Sequence, residues 1–287
     1  MPQTINTNIA SLNAQRNLNS SQSSLMTSMQ RLSSGLRVNS AKDDAAGLAI
    51  AERMNAQVRG MNVAVRNAND GISLAQTAEG ALGKVGDALQ RMRELALQAR
   101  NATNSDSDKE SLNKEYTELA KEIQRVLGGT TFNGKAILAG EAGSQTFQVG
   151  ANVTTNDSID ITTTNMAAAG SITTVAGTGG NSPTLGIGSA ASTSDLQTVV
   201  QNIDSAIDLI NSERATLGAA QSRFESVISN LQISAENQSA ARSRIMDADF
   251  AAETANLSRA QILQQAGNAM VAQANQLPQQ VLQLLQG

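Results

Sequence analysis

The amino-terminal part of the chain carries large apolar side chains at intervals of seven. Leu18, Leu25 and Leu32 form one series, and Met29 and Leu36 form a second. An interval of seven places side chains on one face of a helix and is typical of a helix that buries a single seam. We therefore predict a long helix here, with these five side chains as seam residues.

The carboxyl-terminal part repeats the pattern, with apolar residues alternating at steps of three and four. Its large seam residues are Leu263, Met270, Leu277 and Leu284. An intramolecular bundle core is one interpretation of such stripes. Two terminal helices that pair only with each other would leave part of each stripe in water, so we expect burial between copies. A stripe that meets a different surface of the next copy generates open helical filaments.

Long helices are also predicted between the two ends. The segment 33–44 has no periodic spacing of apolar residues, so we predict a hinge there. A helix of roughly 60 residues is predicted to follow, far longer than the mean helix. A third helix begins with a capping box at Ser107 and Glu110 and ends at Gly128 and Gly129. Helical spacing resumes at Leu196, and a second break is predicted over 239–247.

The region 129–193 differs in composition from the two ends of the chain and is rich in Thr, Ser, Gly and Ala. Asn133 and Gly134 are typical of a hairpin turn, and 146–149 and 158–161 read as short strands. The stretch from Ile161 to Ser194 contains no charged residue and is predicted to be loop and weak hairpin. The fold class we expect is mainly α: an elongated coiled-coil bundle of long antiparallel helices with a small β-hairpin region.

Composition excludes many kinds of active site. The chain has no His and no Cys, so imidazole bases, thiol nucleophiles, disulfides and His- or Cys-ligated metals are absent. The paired carboxylates Asp43 with Asp44 and Asp247 with Asp249 are expected to cap helices rather than to catalyse. We expect no enzymatic activity, no cofactor and no metal.

Charge and hydropathy argue against two classes of partner. The formal net charge is −4, which gives no polycation for nucleic acid or an anionic membrane surface. No segment approaches the roughly 18 apolar residues of a membrane span. Residues 1–8 have neither a basic nor an apolar block, so we expect export without a cleaved signal peptide.

Three long motifs resemble bacterial flagellin. The run from Arg31 to Gly47 is similar to the family's amino-terminal signature, and the runs 241–249 and 258–267 are similar to its carboxyl-terminal one. The resemblance implies an inner coiled-coil core domain of residues 1–40 and 247–287. It also implies an outer shell helical domain of 41–246, including a β-hairpin region at about 129–193. No separate large outer domain is expected, since the central region is short.

The resemblance also implies a function and partners. It implies a structural subunit that self-assembles into the flagellar filament used for swimming, outside the cell, with an export chaperone and a cap protein as further partners. It implies that the host Toll-like receptor for flagellin contacts Arg91, Leu95 and Glu115. It assigns Val281, Leu282, Leu284 and Leu285 to cytosolic inflammasome sensors and, in the unfolded chain, to the chaperone.

Other interpretations remain open at this point. From periodicity alone, Arg91 lies on an ordinary solvated helix face. The hook-filament junction protein resembles flagellin at both ends, and the long motif 258–267 favours the filament subunit. A coiled-coil adhesin would form a rod that does not polymerise, and an enzyme would need an unsuspected Ser or Thr nucleophile.

Overall fold

The computed structural model describes residues 7–178, 183 and 185–286, with side chains described up to 276. The α-helices are α1 Ile9–Ser34, α2 Ala45–Ala99, α3 Asp106–Gly129, α4 Gly170–Ala176, α5 Thr193–Met246 and α6 Phe250–Gln286. The strands are β1 Thr131–Phe132, β2 Lys135–Ala136, β3 Ser144–Gln148 and β4 Ser158–Thr162. The predicted class, mainly α with a small β-hairpin region, is confirmed.

The chain divides into two compact units whose boundaries fall inside α2 and α5. The first unit contains Met1–Ala56 and Glu236–Gly287, and the second contains Gln57–Ala235. The first unit is therefore larger than the expected domain of 1–40 and 247–287. The reason is a small apolar cluster of Val38, Ala51 and Met246, which joins the start of α2 and the end of α5 to the turn after α1.

The second unit has a continuous apolar core between α2, α3, α5 and the hairpin region. Strands β3 and β4 pair antiparallel with Phe147 opposite Ile159. The Phe147 ring meets Phe224 of α5 edge-on, with ring centroids 5.8 Å apart. The predicted Asn-Gly turn is present between β1 and β2, where Asn133 and Gly134 have φ of 50° and 81°.

Three local predictions were wrong. The capping box of α3 is formed by Ser105 and Asp108, because Asp at this position reaches the cap N–H as Glu would. Helix α5 runs unbroken to Met246, since 239–246 contains no Gly or Pro. Helix α4 lies in the predicted loop, because its apolar side chains Ile172 and Val175 are buried in the core.

Candidate assembly and recognition surfaces

Helices α1 and α6 pair along a seam with heptad spacing. The half-buried and buried positions of α1, apart from Arg31, are Ser11, Ala14, Leu18, Ser21, Leu25, Ser28 and Leu32. Those of α6 are Glu253, Leu257, Ala260, Gln264, Gly267, Val271 and Ala274. Both series alternate steps of three and four, as two helices in a coiled coil do. Many of these side chains are small or polar, so the helices approach closely but bury little apolar surface.

Polar contacts fix the antiparallel register of the pair. At one end, Asn8 Nδ2 donates to the Ala274 carbonyl at 2.7 Å, and Ser11 Oγ donates to Asn275 Oδ1 at 2.7 Å. At the other end, Arg31 Nη1 lies 3.9 Å from the buried Glu253 carboxylate. A slip of either helix would break these contacts at both ends.

The turns beside this pair are closed by backbone pairing and by carboxylate caps. Leu36 and Asp247 form an antiparallel bridge, and Ala248 N–H donates to the Gly35 carbonyl at 2.9 Å. Asp44 caps α2 by accepting from Gly47 N–H at 2.8 Å, and Asp249 caps α6 by accepting from Ala251 N–H at 2.9 Å. The expected capping role of these carboxylates is confirmed for Asp44 and Asp249.

Asp43 stabilises the turn between α1 and α2. Its carboxylate accepts hydrogen bonds from Ser40 Oγ, Ser40 N–H and Asn39 N–H. These bonds, led by the one from the Ser40 hydroxyl, hold the pKa of Asp43 below its ordinary value. The ionised carboxylate, which accepts these three bonds, is therefore the favoured form at neutral pH.

The structure divides the predicted seam residues into two groups. Leu18, Leu25, Leu32 and Leu36 are half-buried within the first unit. Met29, Leu263 and Met270 are exposed and lie outside the contact between α1 and α6, so their burial between copies stays a prediction. Close pairing places Ala260, Gly267 and Ala274 in one row of the seam and leaves Leu263 and Met270 outside it. The side chains of Leu277 and Leu284 lie outside the described residues.

Six large apolar side chains outside the seam define two exposed flanks; Phe250 and Ile262 of α6 are also exposed but belong to neither. We call Ile9, Leu12, Met26 and Met29 the α1 flank, and Leu263 with Met270 the α6 flank; all are at least half exposed. The α1 flank was missed in part, because Ile9 and Met29 do not share the heptad register of Leu12 and Met26. Three of the seam positions of α1 are the polar residues Ser11, Ser21 and Ser28, and counting them would have shown that large apolar side chains of α1 lie outside the seam.

Met26 and Met29 of the α1 flank lie on the edge of the helix pair opposite the α6 flank. Leu263 lines one groove together with Ser24 and Thr27 of α1. Met26 and Met29 each lie two residues further along α1, about 200° around the helix from that groove. Met270 is one heptad from Leu263 and so shares its edge. One edge therefore presents Met26 and Met29, and the opposite edge presents the α6 flank.

The second unit presents a charged cluster on α2 and α3. Arg91 Nε donates to Glu115 Oε1 at 2.8 Å, and Arg91 Nη1 donates to Glu94 Oε2 at 3.0 Å. These hydrogen bonds, led by that to Glu115, raise the pKa of the Arg91 guanidinium. About half of the Arg91 and Glu115 side chains remains exposed.

Leu95 does not join this exposed cluster, contrary to its assignment as a contact position. Its side chain is fully buried, in the same core as Met92 and Tyr116. Leu95 lies on the α2 face that packs against the core. Its effect on Arg91 is therefore indirect, through the packing of α2. The side chains of Val281, Leu282, Leu284 and Leu285 lie outside the described residues, so the structure does not place the second recognition segment.

Two further observations concern the described residues alone. No group of three or more acidic side chains in this part of the chain is arranged to hold a metal ion. None of the described helices is both long and apolar enough to span a membrane.

Comparison with known proteins identifies the family. Residues 5–143 match the family model of the bacterial flagellin N-terminal helical region, and residues 200–285 match that of the C-terminal helical region. A flagellin of Halalkalibacterium halodurans is 43% identical over 287 residues, covering 98% of this chain and 99% of the relative. A flagellin of Bacillus subtilis is 44% identical over 301 residues, with 98% and 99% covered.

Among solved structures, the crystal structure of Bacillus cereus flagellin is 30% identical. It covers 58% of this chain and 88% of that chain, with a TM-score of 0.49. The two family models together span most of this chain, and the curated relatives match over nearly their whole length. The chain therefore belongs to the bacterial flagellins, which are structural subunits of the extracellular flagellar filament and not enzymes.

Proposed function

We propose that this chain polymerises into a helical filament for swimming by packing the α1 flank of one copy against the α6 flank of the next. The observation that carries the proposal is the position of Met26 and Met29 on one edge of the helix pair and of the α6 flank on the opposite edge. An edge that meets a different edge of the next copy makes a heterologous contact. A heterologous contact whose rotation does not close a ring repeats from copy to copy and extends a helical polymer.

The charge of the two helices supports this arrangement. Helix α1 contains only Arg16 and Arg31 as charged residues, and α6 contains only Glu253 and Arg259. Arg31 and Glu253 already lie near each other within the unit. Little charge therefore needs to be desolvated when copies pack side by side, and burial of each large flank side chain contributes about 1.5–3 kcal/mol.

Seeded growth tests the proposal. Purified chain is added to short filament fragments, and growth is followed by negative-stain microscopy. The variants Met26→Asp and Leu263→Asp each place a charge on one flank. We expect both to abolish growth, because burial of an unpaired carboxylate between copies carries a large desolvation cost. Gln201→Glu adds the same charge at an exposed position of α5 and serves as the control.

The result separates a flank contact from a general effect of charge. Loss of growth in both flank variants, with growth retained in the control, is expected. Growth of either flank variant at the wild-type rate would refute the contact. Circular dichroism of each variant checks that the second unit remains folded.

We further infer that the monomer is a ligand of the host Toll-like receptor for flagellin, through Arg91 and Glu115. This is supported by the exposure of both side chains and by their position on two neighbouring helices. An export chaperone and a filament cap protein are the other partners we propose, on the basis of family membership alone. Binding of each purified partner to the full chain tests these assignments.

A further inference from the structure

The methionines among the described residues differ in exposure. Met92, Met166 and Met246 are buried in the apolar clusters of the two units, and Met61 is buried outside them. Met26, Met29 and Met270 are 64%, 56% and 63% exposed. All three exposed residues lie on α1 or α6, and each belongs to one of the two flanks defined above. Their thioethers are therefore open to dissolved reagents before any contact covers them.

We propose that Met26, Met29 and Met270 are oxidation sites at which a hydroperoxide oxidant, such as hydrogen peroxide, weakens polymerisation of the monomer. The proposal rests on the proposed assembly through the two flanks. It names a chemical modification that acts on that same surface. It also predicts that the modification acts on the monomer and not on the filament, because assembly covers the sites.

The chemistry requires only the oxidant. A lone pair of the thioether sulfur attacks one peroxide oxygen, so that a sulfur–oxygen bond forms while the oxygen–oxygen bond breaks. The departing hydroxide takes the proton of the transferred oxygen and leaves as water. Sulfur loses two electrons and the peroxide gains two. The product is methionine sulfoxide, which methionine sulfoxide reductases can reverse.

The location of the sites explains why the modification would weaken assembly. A sulfoxide is polar and carries a strong acceptor oxygen, whereas the thioether it replaces packs as an apolar group. Met26 and Met29 lie three residues apart on one face of α1, so two sulfoxides enter the same contact. Burial of an unpaired polar group weakens association about tenfold or more for each group.

A partition experiment tests the inference on the wild-type chain. Monomer is treated briefly with hydrogen peroxide, the peroxide is removed, and seeds are added. Filaments and unassembled chain are then separated, and sulfoxide at each methionine is measured by peptide mass spectrometry. We expect sulfoxide at Met26, Met29 and Met270 to be depleted about tenfold in the filament fraction.

Met54 provides an internal control, because it is half-buried in α2 and lies on neither flank. Its sulfoxide should be distributed equally between filament and unassembled chain. A second arm treats finished filaments, in which the three flank methionines should react more slowly than in monomer. A third arm compares growth before and after peroxide for the variant M26L/M29L/M270L, so that any effect of the substitutions on growth itself cancels.

Each outcome decides the question. Depletion at the three flank methionines, with peroxide-resistant growth of the variant, supports the inference. Equal sulfoxide in filament and unassembled chain overturns it and leaves assembly through the flanks intact. Failure of untreated wild-type monomer to grow on seeds overturns the proposed function, and this inference falls with it.

Discussion

Leu18 of α1 packs directly over Gly267 of α6, and a Cβ placed on Gly267 would lie 3.1 Å from Leu18 Cδ1. Gly267 thus belongs to the seam because it has no side chain. Ala260 and Ala274, each one heptad away, are buried in the same row. The distance between the two helices is set by this row of small residues.

The first prediction concerns the volume at position 267. Gly267→Ala should change stability by less than about 1 kcal/mol, because the flexible tip of Leu18 can yield and Ala favours the helix. Gly267→Val should separate α1 from α6 at a cost of about 1–3 kcal/mol. The critical concentration for seeded growth and the thermal melt of the monomer measure both effects.

A second substitution on the facing helix tests the same contact. Leu18→Ala makes room beside position 267, so the double variant Leu18→Ala with Gly267→Val should recover part of the stability lost by Gly267→Val alone. Residues in direct contact show such coupling, whereas distant residues are additive. Strict additivity of the two effects would contradict the packing described here.

The same contact shows what the sequence could and could not predict. Helices at both ends follow from the heptad spacing of Leu18, Leu25 and Leu32 and from its counterpart in α6, and the structure has both. The buried face of α6 does not follow, because burial was assigned by side-chain size. Close helix contact selects Ala260 and Gly267 over Leu263, and this selection depends on a partner helix more than 200 residues away.

The arrangement of Arg91, Leu95 and Glu115 could likewise be predicted only in part. The resemblance places Arg91, Leu95 and Glu115 together, and helical periodicity already groups Leu95 with the buried series of Leu89 and Met92. The contact between Arg91 and Glu115 depends on how α2 and α3 pack, which no local pattern determines. The exposed flank of α1 was likewise hidden, because its four residues do not follow one heptad series: Leu12 and Met26 lie two heptads apart, but Ile9 and Met29 are in other registers.

A buried carboxylate in the second unit gives the next prediction. Glu213 accepts from Thr164 N–H at 2.9 Å and from Thr164 Oγ1 at 3.1 Å, and so joins α5 to the segment after β4. Glu213→Ala should destabilise the unit by about 1–3 kcal/mol, because Thr164 N–H loses its partner. Urea unfolding followed by circular dichroism measures the change. Thr164→Val removes only the hydroxyl and should cost less; an equal loss would contradict the role given to the N–H.

Capping carboxylates make stability depend on pH. Hydrogen bonds from Ser105 to Asp108 and from Ser192 to Asp195, led by the serine hydroxyls, lower the pKa of both carboxyls. A lowered pKa means that the stabilisation is complete above the ordinary value of about 3.9 and disappears as pH falls through the folded-state pKa. We expect the melting temperature to fall as pH drops below about 4, and to fall less steeply in Asp108→Asn.

A double-variant cycle assigns this pH dependence to one hydrogen-bonded pair. Ser105→Ala and Asp108→Asn should each flatten the dependence of melting temperature on pH below about 4, and the combination should flatten it no further. Independent effects of the two substitutions would mean that the capping box of α3 is not the source. Circular dichroism melts at intervals of pH provide the measurement.

The composition of the α1–α6 seam predicts that both helices become more ordered on assembly. Fully buried positions of the seam include Ser11, Ser28 and Ala260, which contribute little apolar burial. We therefore expect α1 and α6 to open readily in the monomer and to be held closed in the filament, where the flanks are covered. Trypsin should cut monomer after Arg16 and Arg259 much faster than filament.

An exposed arginine in the second unit serves as the control for that digestion. Arg223 lies within α5, beside the buried Phe224, and should resist cleavage in both states. Circular dichroism should also show a gain of helix on polymerisation. Equal helix content before and after assembly, or equal cleavage at Arg16 in both states, would show that the terminal helices are already stable in the monomer.

The last prediction concerns recognition by the host. Arg91 joins α2 to α3 through Glu115 while about half of its side chain stays exposed. Truncation of an arginine at the centre of an interface often costs more than about 2 kcal/mol, so Arg91→Ala monomer should activate the receptor roughly 30-fold more weakly. Reporter cells that express the receptor give the measurement.

Arg125 supplies a matched control, because it also pairs with a glutamate, Glu122, but lies further along α3. Arg125→Ala removes an arginine from a comparable ion pair and should leave receptor activation unchanged. Crosslinked filaments should activate the receptor poorly if assembly covers the Arg91 face. Equal activity of wild-type monomer, Arg91→Ala monomer and crosslinked filament would mean that Arg91 and Glu115 form an ordinary surface ion pair, whose contribution of about 0–1 kcal/mol is to stability alone.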